Sequence, residues 1–217
     1  MPNLSDEYFL LKDGDTLLIQ LDEVALLPKH KFKSRIDAKY YYWFRKKVFK
    51  AYPYAIMASK RLDSLNSELE NIKSTRKRKK HIKKVQHYVE NEFSDQLKKM
   101  TRTEGRVLIN LIHRQTGYTA FDNIKDLRSG WKAFWYNSTA NVFNLSLKDE
   151  YKPDVENEDY LIEDILQRAY IQEKLEYQES KLDVDFIKIL ESKKGEVNVE
   201  VYKKMFAKQK KKKEKKK

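Results

Sequence analysis

From Ser34 onward the apolar residues recur at every third or fourth position, and that helical period persists to about Tyr170. A chain patterned this way buries helix faces against one another and has little scope for an extended sheet. At 100° per residue, Ile36, Tyr40, Trp43, Phe44, Val48 and Ala51 fall in one sector, the expected core-facing stripe of a first helix. Pro53 excludes Tyr52 from the helical region and predicts a break there. The second helix then carries Ile56, Ser59, Leu62, Leu65, Leu69 and Ile72. A third is expected from about Thr75 to Met100, with a heptad-like seam of Ile82, Val85, Val89, Phe93, Leu97 and Met100. The short Lys73 to Thr75 link makes the second and third helices antiparallel neighbours.

A fourth helix, Thr101 to Thr116, is signalled at both ends. Thr101 and Glu104 stand at capping-box spacing, and Gly117 suits the left-handed residue past a helix end. Thr119 to Arg128 reads as a short helix with Phe121, Ile124 and Leu127 inside, and Ser129 caps another from Trp131 to about Phe143. After Pro153, Asn157 or Asp159 is expected to cap a helix holding Leu161, Ile162, Ile165, Leu166 and Ala169. Ahead of all this, Tyr8 to Leu11 and Thr16 to Leu21 flank Asp13-Gly14, a dipeptide suited to a type I′ turn, and a third short strand fits Glu23 to Leu27.

The expected fold is therefore mainly α, a compact multi-helix domain of about six or seven helices preceded by a short N-terminal β-hairpin. The chain divides into a hairpin segment over 1–30, a helical domain over 31–172, an acidic and partly helical extension over 173–207, and a disordered lysine tail over 208–217.

The formal charge of +13 is unevenly spread. Residues 31–60 carry a net +8 and residues 61–100 a net +5, whereas residues 151–200 carry −7 and the last seventeen +9. Overall basicity is thus a weak argument for nucleic acid, and the internal asymmetry is the informative feature. With no cysteine, disulfides, thiolate metal sites and cysteine nucleophiles are excluded. The longest uncharged run, Ala133 to Leu147, has fifteen residues, short of the ~20 apolar ones that a membrane-spanning helix needs. The first thirty residues lack a basic region followed by an apolar one, so the chain as it stands reads as cytoplasmic.

Three constellations carry functional weight. Arg102, Arg106, Asn110 and His113 share one face of the fourth helix, opposite Val107, Leu108, Leu111 and Ile112. With Arg114 they form either an anion or partner site or a solvated polar face. Glu104 lies on the apolar side, where it closes the capping box or acts as a buried carboxylate. Arg35, Lys39, Tyr42, Lys46 and Lys50 make a basic stripe along the first helix, a pattern that tracks a nucleic-acid backbone or an acidic protein. In Arg76 to Lys84 seven of nine residues are basic, at a helix start where the macrodipole disfavours cations. Their counter-ion is expected either outside the chain or in its own acidic stretch, Asp154 to Glu191. Trp131, Phe134, Trp135, Tyr136 and Phe143 concentrate aromatic surface, as core or as partner groove.

Enzyme signatures are sparse. His30, His81, His87 and His113 stand in no metal-ligand spacing, the five glycines make no phosphate loop, and no nucleophile elbow occurs. No metal or cofactor is expected, and no catalytic residue is assigned.

The segment Leu97 to Tyr151, with HRQTG at His113 to Gly117, DLRSGW at Asp126 to Trp131 and the following KAFWYN, resembles the core of an uncharacterised bacterial, Bacteroidetes-type family of unknown function. The resemblance extends over roughly residues 13 to 170, through GDTLLIQLDEVALLP, KVFKAYPYAIMASKRL and EDYLIEDILQRAY. It implies a helical domain and, because relatives often begin with an exported leader, a periplasmic or envelope-associated location, but no known activity. The leading expectation is a non-enzymatic interaction or scaffold protein holding a protein or anionic envelope partner through Arg102 to Tyr136. The alternative is a basic nucleic-acid-binding protein, and the weakest is an enzyme built around Arg106, His113 and Arg114.

Overall fold

A computed structural model of the protein describes residues 8–10, 16–18, 27–84, 99–125 and 146–214. Strands β1 (Tyr8–Leu10) and β2 (Thr16–Leu18) pair antiparallel, with Tyr8 opposite Leu18 and Leu10 opposite Thr16. The Asp13-Gly14 turn and the strand expected at Glu23 to Leu27, apart from Leu27 itself, lie outside the described residues. The rest is helical. Among the described residues there are seven helices: α1 (Arg35–Glu70), α2 (residues 75–84), α3 (Arg102–Thr116), α4 (Ala120–Lys125), α5 (Asn157–Ile171), α6 (Phe186–Lys193) and α7 (Glu200–Glu214).

The break expected at Pro53 does not occur. Helix α1 runs through it as one element. Phe44, Val48, Ala51, Ala55 and Ser59 are all fully buried, so the core-facing stripe keeps its phase across the proline. Pro53 itself is exposed, on the face of the helix away from that stripe. The cost of an interior proline, about 3 kcal/mol, is offset by burying the residues on either side of it. The stripe is also rotated from its expected setting. Ile36 is 57% exposed, while Tyr41 and Tyr52 are buried. Their hydroxyls find partners inside, Tyr41 donating to Asp164 and Tyr52 to the Glu176 carbonyl. A buried tyrosine is stable only on those terms.

Helix α2 turns back from α1, and His81 Nε2 lies 2.8 Å from Glu68 Oε2 across the connection. The seam expected from Val85 to Leu97 lies outside the described residues, as does the aromatic segment Trp131 to Phe143.

Helix α3 is the central element. Its N-terminus is the expected capping box: Thr101 Oγ1 accepts from the Glu104 amide, and Glu104 Oε2 accepts from the Thr101 amide. Its C-terminus closes on Gly117 at φ 76°, a left-handed conformation that side chains disfavour. Val107, Leu108, Ile109, Leu111 and Ile112 form the middle of the core, with Phe44 and Val48 of α1 and Leu161, Ile162, Ile165 and Leu166 of α5.

Helix α4 starts at Thr119, whose hydroxyl accepts from the Asp122 amide. Helix α5 is capped at neither residue expected. Its N-cap is Glu156, without a side-chain cap hydrogen bond, because the Asp159 carboxylate turns inward and accepts from the Lys152 amide. The segment 173–207 shares the same core. Phe186, Ile189 and Leu190 of α6 are buried, as are Val197, Val199 and Tyr202, and Tyr202 stacks on Phe44 at 4.9 Å. Lys31 and Glu196 form a parallel bridge that ties this segment to the start of the helical region. Helix α7 runs to Glu214. Lysine is a good helix former, and cations at a helix C-terminus complement the macrodipole.

Candidate functional site

The polar face of α3 turns inward beyond its first turn, with Arg106 half-buried and Asn110, His113 and Arg114 buried. Helices α3 and α5 lie side by side, and the residues between them pair in order along both. Arg106 Nε and Nη2 donate to the two carboxylate oxygens of Glu158, and Tyr202 donates to the same carboxylate at 3.0 Å. Asn110 Nδ2 donates to Asp159 Oδ1. Arg114 Nε and Nη2 donate to Glu163 at 2.8 and 2.9 Å, while its Nη1 donates to the Gln178 carbonyl at 3.1 Å. Arg114 and Glu163 are each 1% exposed. Tyr151 completes the shell, its hydroxyl donating to Glu163 at 2.6 Å and its amide to His113 Nδ1 at 2.7 Å. The expected solvated face is therefore an internal seam. The planar fork of arginine matches a carboxylate bidentately and is lightly hydrated, so it is the cation best suited to burial.

Charge balance along the seam is incomplete at one point. Burial pushes the Glu163 carboxyl up, but the Arg114 guanidinium and the Tyr151 hydroxyl more than reverse it, and Glu163 is held below the ordinary carboxylate range. Asp159 has no arginine. Burial pushes it up to about 7, only partly opposed by the Lys152 amide and the Asn110 side chain, and Glu158 and Glu156 push the same way. Asn110 Oδ1 is buried without a partner among the described residues. Burial also holds His113 below its usual value.

The expected basic stripe faces solvent. Arg35, Lys39, Tyr42, Lys46 and Lys50 are all exposed along α1, and Tyr42 is 50% exposed. Lys50 and its neighbour Lys47 donate to the two oxygens of Glu104, at 3.1 and 3.0 Å. Glu104 thus serves the cap and two lysines at once. Burial pushes its carboxyl up, and the Thr101 amide with the two ammonium groups brings it below the ordinary range. Among the described residues Arg35, Lys39 and Lys46 form no ion pair. Residues 76–80, 83 and 84 of the basic run are exposed as well. Arg102 is exposed on the first turn of α3, apart from the seam, and Trp131 and Trp135 lie outside the described residues.

One cluster escaped the reading of the sequence. Asp164 of α5 accepts from His30 Nε2 at 2.7 Å, from the Tyr41 hydroxyl at 2.7 Å and from Arg168 Nε at 2.8 Å. Arg168 Nη2 also donates to the Pro28 carbonyl, pinning the segment ahead of α1. Burial pushes Asp164 up, and His30, Tyr41 and Arg168 together hold it below the ordinary range. The one available signal was an acidic residue inside an apolar stripe, between buried Ile162 and Ile165, with Arg168 one turn later. His30 is 134 residues away and in no periodic element.

Among the described residues no three His, Asp or Glu side chains converge to hold a metal ion, and no helix is long and apolar enough to cross a membrane. A comparison with curated proteins and with solved structures finds no match. The match that does exist is to a family, over residues 15–168, which spans β2, the helices from α1 to α4 and most of α5, including both sides of the buried seam. The chain belongs to that family, whose description is Domain of unknown function (DUF4294).

Proposed function

We propose that the protein binds a single strand of nucleic acid along the outer face of α1. The observation that carries the reading is the separation of charge. Glu158, Glu163 and Asp164 of α5, within the acidic stretch expected as an internal counter-ion of the Arg76 to Lys84 run, are engaged by Arg106, Arg114, His30 and Arg168, while Arg35, Lys39 and Lys46 stay exposed. From Arg35 to Lys50 the stripe covers about 22 Å of helix, and cations spaced by one turn with an exposed ring among them suit a backbone of phosphates with a stacking base.

The envelope-scaffold reading that the family resemblance implies draws on Arg102, Arg106, Asn110, His113, Arg114, Trp131 and Trp135. Four of these spend their polar groups inside the seam, so less supports that reading. An enzyme centred on Arg106, His113 and Arg114 meets the same objection.

The test is binding of a fluorescent single-stranded RNA oligonucleotide between about 50 and about 500 mM salt, with an expected slope of roughly −0.7 in log affinity per phosphate contacted. Lys39→Glu with Lys46→Glu should weaken binding and flatten that slope. Unchanged affinity in this variant, or loss of all binding on deleting Lys208 to Lys217 alone, overturns the proposal.

A further inference from the structure

A cavity of about 460 Å³ opens between the segment ahead of α1, the start of α1 and the C-terminal half of α5. Its size falls within the roughly 300 to 1,000 Å³ range of small-molecule sites. Four rings line it, those of His30, Phe32, Tyr41 and Tyr42. They touch one another: His30 and Tyr41 centroids are 4.4 Å apart, Phe32 and Tyr41 5.6 Å, and Phe32 and Tyr42 6.3 Å. Four cations, Lys29, Arg45, Arg168 and Lys174, share the lining with Ile165 and Gln172, and no carboxylate is among the described residues that form it.

Of these cations Arg168 pairs with Asp164, whose oxygens are committed to His30, Tyr41 and Arg168. Asp164 therefore orients the His30 ring without neutralising the mouth of the cavity. With Nε2 held by Asp164, His30 Nδ1 has no partner among the described residues, on a ring that faces the cavity. Among the described residues Lys174 Nζ donates to the Gln172 side-chain oxygen and to no carboxylate, and Arg45 lies over the Phe49 ring at 4.7 Å. Lys29, Arg45 and Lys174 thus bring positive charge to an aromatic-walled space, and none of them pairs with a carboxylate among the described residues. Such a combination selects a ligand that is at once planar and anionic.

Tyr42 belongs both to this cavity and to the exposed stripe of α1. We propose that the cavity is a nucleotide pocket, in which one unstacked base packs against Phe32 and Tyr42 while its phosphate lies between Lys29, Arg45 and Lys174. This inference rests on the strand-binding reading, because it makes the pocket the point where a strand on α1 is held by a base as well as by its backbone.

The test uses the full chain and adenosine 5′-monophosphate, with adenosine and inorganic phosphate as separate probes. Binding is followed by calorimetry and by the ring-proton resonances of His30, one of only four histidines. The mononucleotide should bind and shift His30. Lys174→Glu should weaken it by about tenfold or more, and Phe32→Leu, which removes the ring and keeps an apolar side chain, by about fivefold or more. Lys46→Glu should leave mononucleotide affinity unchanged while weakening the oligonucleotide. Thermal unfolding of each variant separates loss of the site from loss of the fold. No binding of the mononucleotide to the folded wild-type chain overturns the pocket. So does phosphate alone binding as tightly as the nucleotide, since the rings would then contribute nothing. Oligonucleotide binding with a normal salt slope but no mononucleotide binding removes the pocket and keeps the strand reading. Loss of both removes both.

Discussion

Helices α1 and α3 both carry regularly spaced cations, and they dispose of them in opposite ways. On α3, Arg106 and Arg114 point into the protein and meet Glu158 and Glu163. On α1, Arg35, Lys39 and Lys46 point out and, among the described residues, meet no carboxylate. Both sets lie close to whole numbers of helical turns, four and seven residues apart on α1 and eight on α3, so periodicity does not distinguish them. What differs is the neighbour: α5 brings Glu158 and Glu163 to the arginines of α3, whereas among the described residues no carboxylate pairs with Arg35, Lys39 or Lys46 of α1. The difference teaches that a basic stripe becomes structural or available for binding according to what packs beside it.

The largest effect should come from breaking a pair on the buried side. Arg114→Met leaves Glu163 uncompensated and should cost about 3 to 5 kcal/mol in urea unfolding, while adding Glu163→Leu should restore a large part of it. A double variant no more stable than Arg114→Met would mean that Arg114 works through packing instead of charge.

A second effect separates Asp159 from its matched neighbours. Its folded value of about 7 lies above the roughly 4 expected in the unfolded chain. Between those values the folded chain keeps a proton that the unfolded chain has released. The associated stability is complete below about pH 4 and lost as pH rises through about 7, with a ceiling of about 4 kcal/mol. Asp159→Asn should remove this loss, so the wild type should decline relative to the variant across that window when unfolding is measured at several pH values. Parallel curves for the two proteins would contradict it.

Glu104 connects the two regions, since it caps α3 and holds Lys47 and Lys50 of α1. Glu104→Ala should cost about 1 to 2 kcal/mol through the lost cap. It should also release two lysines to the stripe and steepen the salt dependence of oligonucleotide binding. The smallest effect on stability belongs to Lys39→Glu with Lys46→Glu, within about 0.5 kcal/mol by thermal unfolding, although its effect on strand affinity should be large.

The ends of α3 were legible because caps are local chemistry: Thr101, Glu104 and Gly117 act within one turn of themselves. The helical character of α1, α3 and α5 was equally legible, since it needs only the period of the apolar residues. The continuity of α1 was written in the sequence but misread. Local sterics at Pro53 argued for a break, while Ala55 and Ser59, still in phase with Phe44 and Val48, argued against it, and burial outweighed the proline. The capping of α5 failed for the converse reason, because Asp159 has a tertiary partner that draws it away from the helix end.

The sequence by itself determined a mainly helical chain, the boundaries of α3, the absence of cysteine chemistry and the places where charge accumulates. These depend on residues within a turn or two of one another, where backbone conformation is set by sterics and short hydrogen bonds. Only the tertiary structure decided which charges are cancelled. Arg114 and Glu163 are 49 residues apart, and His30 and Asp164 are 134 apart. Whether such groups meet depends on how helices are laid against one another, and that is settled by the burial of apolar surface on all of them together.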